Sequence, residues 1–216
     1  MTMSETTEDL RRCTQLASGP AGLAAIHRPG TAAALWDRRP LDRFQAWIDA
    51  LPAGQLPRTR VILRPEAVCD ALLDVARICG TPDCPERNML IEDASALAAI
   101  FADVMDCAHL RLRLDVVRTD ACRRFHVDAV TARLICTYRG TGTQYGLSTT
   151  GDDPDTVLTV PTGAPIVLRG TRWPENPPSG LLHRSPPIAG TNETRLLLVL
   201  DPVEDPERER GTAYIH

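Results

Sequence analysis

"HLRLRLDVVRTD", His109 to Asp120, is where the chain changes its hydrophobic period. Leu110, Leu112 and Leu114 recur at every second position, with Arg111 and Arg113 between them. Successive side chains of a strand point to opposite faces, so this alternation predicts a half-buried β-strand. Upstream the apolar residues are spaced by three and four instead. In "RPLDRFQAWIDALP" (39–52) Leu41, Phe44, Trp47, Ile48 and Leu51 form one helical stripe, which Pro52 ends. In "RPEAVCDALLDVARIC" (64–79) the stripe is Val68, Leu72, Val75, Ala76 and Cys79, with Pro65 at the start and Gly80 past the end. A loop, "GTPDCPERN", precedes a third helix in "IEDASALAAIFADVMDCA" (91–108).

Downstream of His109 almost everything reads as short strands: "ARLICTYRG", "DTVLTVP", "APIVLRGT" and "TRLLLVLD", separated by turns such as "TGDDPD" and "PPIAGTNE". The expected plan is one α+β domain. Residues 1–30 form a loose lead-in with one short strand, 31–108 are mainly helical, 109–201 form a β core of sandwich, jelly-roll or barrel type, and 202–216 form a tail. The helices cover one face of the β unit.

Composition narrows the function. The chain has 216 residues, a formal charge of −4 and aromatics at only 4%. A mildly acidic chain poor in aromatics lacks both the electrostatic attraction and the stacking platforms of a nucleic-acid binder. All 24 basic residues are Arg, so no Lys is present to form a Schiff base. No run of apolar residues is long enough to span a membrane. The N-terminal segment has no basic region followed by an apolar one, so a cytoplasmic location is expected. The seven Cys are irregularly spaced and read as reduced thiols. Cys79 and Cys84 lack the second close ligand pair that a zinc site wants.

The chemistry concentrates in the β half. "RRFHVD" (123–128) carries His126 and Asp128 two residues apart, so in extended chain both point to one side. "LLHRSPP" (181–187) supplies His183, and "ETRLLLVLD" (193–201) supplies Arg195 on the returning strand. Two His and one carboxylate on one side of a metal make the facial triad of non-haem Fe(II) oxygenases, with positions left open for co-substrate and O₂. An Arg nearby can hold a co-substrate carboxylate through two parallel hydrogen bonds. Arg133, Thr137 and Tyr138 follow on one strand as candidate cofactor-binding residues. Arg133 and Thr137 share a face, Tyr138 lies on the other, and a salt-bridged structural role for Arg133 is the simpler reading. Trp173 reads as a loop anchor or a lid. His109 and His216 read as bystanders.

The blocks "RRFHVD", "PTGAPIVLRG", "LLHRSPP" and "TRLLLVL" resemble those of the Fe(II)- and 2-oxoglutarate-dependent dioxygenases. More narrowly, "FHVDAVTARLICTYRGTGTQ" with "LLHRSPP" and "RLLLVLD" resembles a bacterial family of unknown function often encoded near zinc-homeostasis genes. The wider resemblance implies a double-stranded β-helix, jelly-roll or cupin-like, in the C-terminal half. It implies Fe(II) on His126, Asp128 and His183, 2-oxoglutarate as a small-molecule co-substrate paired with Arg195, and hydroxylation of an unspecified substrate. Leu197 stands where many of these enzymes place a Ser or Thr beside that carboxylate. The alternative it implies is a non-catalytic, cupin-like protein holding Zn²⁺ through the same three ligands.

Overall fold

The computed structural model describes residues 3–148, 152–174 and 179–211. Helix α1 (Met3–Cys13), strand β1 (Thr14–Ala17), a 3₁₀ segment (Pro20–His27) and β2 (Ala33–Trp36) come first. Then follow α2 (Asp42–Ala50), β3 (Thr59–Leu63), α3 (Val68–Ile78) and α4 (Pro85–Met105). The β half comprises β4 (His109–Val117), β5 (Ala132–Arg139), β6 (Gln144–Leu147), β7 (Leu158–Thr159), β8 (Pro165–Arg169), β9 (Leu181–Arg184) and β10 (Arg195–Val203). A short helix, α5 (Pro206–Gly211), ends the described chain.

Ten strands form two sheets. The larger has the order β1-β2-β8-β5-β10-β4-β3, and the smaller β7-β6-β9. All pairs are antiparallel except β1 with β2. The large sheet is covered on both sides. Leu110, Leu112, Leu114, Leu134, Cys136, Tyr138, Leu196, Leu198 and Leu200 pack against α2, α3 and α4. Ile135, Ile166, Leu168, Leu197 and Val199 point the other way, to Tyr145, Val160 and Leu181 of the small-sheet side. Burial on both faces is why β10 reads as the unbroken apolar run "RLLLVL" while β4, nearer the edge, alternates. The α+β plan is therefore what the chain adopts, with α2, α3 and α4 on one face, while α1 puts Leu10 on the small-sheet side.

Several boundaries differ from the sequence expectation. Residues 1–30 are not a loose lead-in: they hold α1, β1 and the 3₁₀ segment, with Leu10, Leu23 and Ile26 fully buried. The helical stretch contains β2 and β3, both recruited to the large sheet. Segments of four or five residues carry no decisive period, so only pairing with β8 and β4 makes them strands. Part of "GTPDCPERN" is helical, since α4 opens at Pro85, a favoured residue for a first helical turn. Only Leu158–Thr159 of "DTVLTVP" is paired. The tail begins later than expected, because β10 runs on to Val203, which is 2% exposed, and α5 follows. His216 lies outside the described residues. Cys79 and Cys84, both free thiols, cap the facing ends of α3 and α4.

Two contacts lock the layers around the β half. Asp93 of α4 accepts both Nη groups of Arg38 at 2.6 and 2.7 Å and the Tyr138 hydroxyl at 2.7 Å. The loop after β8 lies directly on residues 128–131. Gly170, Thr171 and Arg172 donate their backbone N–H groups to the carbonyls of Thr131, Asp128 and Val130 at 2.9, 2.8 and 3.1 Å. Gly170 is required for this approach, because a Cβ there would meet the Val130 carbonyl oxygen at 1.9 Å. Gly170→Ala is expected to destabilise the fold by about 1–3 kcal/mol, as an overpacked core does. The midpoint of urea unfolding reads this, and an unchanged midpoint means the loop yields freely.

Candidate metal centre

His126 lies before β5 and His183 on β9. Their backbones form an isolated antiparallel bridge, each N–H donating to the other's carbonyl at 3.0 Å. Partners in such a bridge project to the same side, so the imidazoles meet with ring centroids 4.6 Å apart. Asp128, two residues on from His126, reaches the same point. Ligand-competent atoms of His126, Asp128 and His183 all lie within 4.8 Å of one another, and theirs is the one such trio among the described residues.

The local chemistry suits a cation. The Nδ1 of His126 lies 2.8 Å from the Arg124 carbonyl oxygen, so this nitrogen carries the proton and donates. That leaves the Nε2 lone pair of His126 free as a ligand. His183 Nε2 sits 2.9 Å from Asp128 Oδ2, and His126 Nε2 3.5 Å from Oδ1. Asp128 Oδ2 is buried and has no hydrogen-bond partner. Ligand atoms that share one ion at roughly 2.0–2.2 Å stand about 3 Å apart, as His183 Nε2 and Asp128 Oδ2 do, and His126 Nε2 is slightly further off. The residues present therefore fit a divalent metal.

Protonation is set accordingly. Burial works to raise the Asp128 carboxyl, yet the neighbouring imidazoles of His126 and His183 and the charge of Arg133 hold it well below the usual carboxylate range. Burial keeps His183 below its ordinary value, against the pull of Asp128. His126, closer to solvent, is raised by its contact with Asp128. Two imidazoles and one carboxylate make a set consistent with a facial metal site.

The other Asp128 oxygen is committed. Arg133 Nη1 is ion-paired with Asp128 Oδ1 at 2.5 Å, and Nε and Nη2 donate to the two oxygens of Asp201 at 2.6 and 2.9 Å. Arg133 thus braces a ligand rather than reaching into open space, in line with the salt-bridged reading of it. Asp201 is 1% exposed, and sequence reasoning overlooked it. The available signal was an acid closing an apolar strand in phase with Arg195, Leu197 and Val199. Arg133→Met strands two buried carboxylates, at an expected cost of about 3–5 kcal/mol. Metal affinity should also fall about 10–100-fold, as when an outer partner of a ligand is lost. Chemical denaturation and metal titration of the variant check the two effects separately.

Arg195 opens β10 with 0% of its surface exposed. Its Nε donates to the Thr141 carbonyl at 2.6 Å, while Nη1 and Nη2 are buried with no partner. Burial pushes its guanidinium down to about 10, with Glu193 giving only partial compensation. Thr137 points between the sheets and is 1% exposed. Tyr138 is turned away from the metal residues. Strand parity sends it to the helical side, where it bonds Asp93 and packs edge-on against Phe44. Tyr145, which the sequence reading did not single out, pairs with His183 across β6 and β9 and is buried between the sheets. Trp173 stacks on His27 with centroids 5.3 Å apart and lies under the Arg169 guanidinium, so it anchors its loop to the core.

Mixed α and β structure with antiparallel sheets of this layout matches the double-stranded β-helix folds of the 2-oxoglutarate dioxygenases. The fold is similar to that of dioxygenase for auxin oxidation 1 from Arabidopsis thaliana, solved as a complex with 2-oxoglutarate. That likeness has a TM-score of 0.50 and 10% identity, over 89% of this chain and 94% of the other. The rice dioxygenase for auxin oxidation gives a TM-score of 0.48 and 13% identity, over 88% of this chain and 82% of that one. A Pseudomonas putida prolyl-4-hydroxylase gives 0.43 and 13%, over 86% and 99%. No curated protein matches the sequence. Residues 17–201 match the family model DUF1826, "Protein of unknown function". The chain belongs to that family. Among the described residues no helix is long and apolar enough to cross a membrane.

Proposed function

We propose that the protein is an Fe(II)- and 2-oxoglutarate-dependent oxygenase. The observation that carries this is Arg195, a wholly buried guanidinium with two unpaired Nη groups on the wall between the sheets. A protein that only holds a metal has no use for such a group, and an unpaired buried charge is costly. A carboxylate from a bound co-substrate would complete it with two parallel hydrogen bonds. Its complex names 2-oxoglutarate for the Arabidopsis enzyme, the co-substrate this reading gives to the chain.

In this reading His126, Asp128 and His183 hold the metal. Iron with 2-oxoglutarate and O₂ would supply the oxidising chemistry that hydroxylates a C–H bond. The chain's own work is placement. Arg133 fixes Asp128 so that one carboxylate oxygen faces the ion, the Arg124 carbonyl orients His126, and Arg195 holds the far end of the co-substrate. Leu197 and Tyr145 exclude water from the space between the sheets.

The test is anaerobic addition of Fe(II) and 2-oxoglutarate to the full chain. A weak visible charge-transfer band, and succinate once air is admitted, are expected. Tight stoichiometric Zn²⁺ binding with neither band nor succinate overturns the reading. It would favour a zinc-holding protein tied to zinc homeostasis.

A further inference from the structure

Arg195 is not the only guanidinium here short of acceptors. Arg113 of β4 points to the same side of the large sheet as Arg195 and Asp201, and its side chain is 19% exposed. Its Nε is buried without a partner. Its nearest acids are Asp201 at 3.5 Å and Asp115 at 3.9 Å, and neither is hydrogen-bonded to it. Asp201 is already taken by two N–H groups of Arg133. Arg60 of β3 stands directly opposite Arg113 in the register, and like charges placed so repel. Arg111, next along this face, pairs with Glu209 of α5 and feels Arg60, Arg133 and Arg172 as well. Among the described residues five guanidiniums from four parts of the fold thus meet four carboxylates: Asp115, Asp128, Asp201 and Glu209. One of the four, Asp128, is the oxygen ligand a metal would claim.

This excess of positive charge adjoins the metal residues. Arg113 contacts Asp201, Asp201 is bonded to Arg133, and Arg133 is bonded to Asp128. It is separate from Arg195, which pairs with Val117, four residues further along β4 and therefore about 13 Å away along the strand. The inner wall accordingly carries two guanidiniums in need of an acceptor, one deep and one beside the metal ligands.

We propose that Arg113, flanked by Arg60 and Arg111, anchors an oxyanion group, phosphate or carboxylate, of the substrate on which this site acts. The proposal rests on the oxygenase reading for the word substrate, and on the Arg113 geometry for the anion. The planar guanidinium fork accepts either group through paired hydrogen bonds. The far carboxylate of the co-substrate would go to Arg195 and its keto-acid end to the metal, so an anion held by Arg113 belongs to a different molecule.

The experiment uses the full chain stripped of metal on a chelating resin, so that added anions cannot sit on an ion. Inorganic phosphate and acetate are titrated separately at constant ionic strength, with the thermal midpoint and calorimetric heat as readouts. The wild type is expected to bind at least one of the two. Arg113→Gln should weaken that binding by about tenfold or more, the loss of a charge-assisted pair. Arg113→Lys, which keeps the charge and guards against misfolding of the glutamine variant, should retain part of it. Arg195→Met and His183→Ala should keep the Arg113-dependent response. The last of these separates the two ideas, because the metal reading can fail while the anion response survives. Equal binding by Arg113→Gln and wild type, no binding by wild type, or loss only in Arg195→Met overturns the proposal. A preference for phosphate or for acetate tells which oxyanion the substrate bears.

Discussion

His183→Ala leaves a folded chain that no longer retains a divalent metal. The imidazole supplies one of three convergent ligand atoms, and its Nε2 lies 2.9 Å from the partnerless Asp128 oxygen. Loss of a direct ligand should cost more than the roughly 10–100-fold that loss of an outer partner costs a metal site. Asp128 stays bonded to Arg133, so circular dichroism should stay close to that of the wild type. Metal content after dialysis against one equivalent of Fe(II) or Zn²⁺ is the measurement. His126→Ala should behave likewise. If both variants retain stoichiometric metal, the trio is not the site.

The second large effect has opposite signs on stability and function. Arg195→Met removes a fully buried charge whose Nη groups have no partner, while keeping most of the side-chain volume. Replacing buried charge by a well-packed apolar group stabilises by about 1–4 kcal/mol in comparable cases. For a chain of this size that is a rise in melting temperature of about 2–4 °C per kcal/mol. The same change should abolish 2-oxoglutarate binding and leave metal binding intact. Differential scanning calorimetry and co-substrate titration of the metal-loaded variant give the two readouts. A destabilised variant that still binds 2-oxoglutarate would remove the basis for the oxygenase reading. A residue that costs stability in the free protein and repays it only when a ligand arrives is the mark of a binding group.

His126, Asp128, His183 and Arg195 were legible because each lies in or beside a strand, where position along the chain sets direction. The parity argument placed Arg133 and Thr137 on one face and Tyr138 on the other, and the structure agrees. Parity says nothing about which face looks into the space between the sheets. Burial decides that: Ile135, Leu197 and Val199 pack against the small sheet, so Arg133 belongs to the metal side and Tyr138 to the helices. Asp201 and Arg113 were missed for a related reason. Each reads locally as a polar residue on an amphipathic strand. Their roles arise from β4, β10 and β5 lying side by side, which places Arg113, Asp201 and Arg133 in contact. The short strands β2 and β3 were missed because tertiary pairing, rather than their own periodicity, makes them strands.

The amino-acid sequence by itself determined the α+β plan, the helical stripes, the alternating and unbroken strands, and the choice of His126, Asp128 and His183, which the structure brings together. These depend on period and on residue chemistry, which are local. The tertiary structure alone decided which ligand oxygen is braced, which faces are dry, and which guanidiniums lack acceptors. Those properties depend on distances between strands far apart in sequence and on the removal of water. A charge costs little until packing closes around it, and only the packing shows that Arg195 and Arg113 are left short of acceptors.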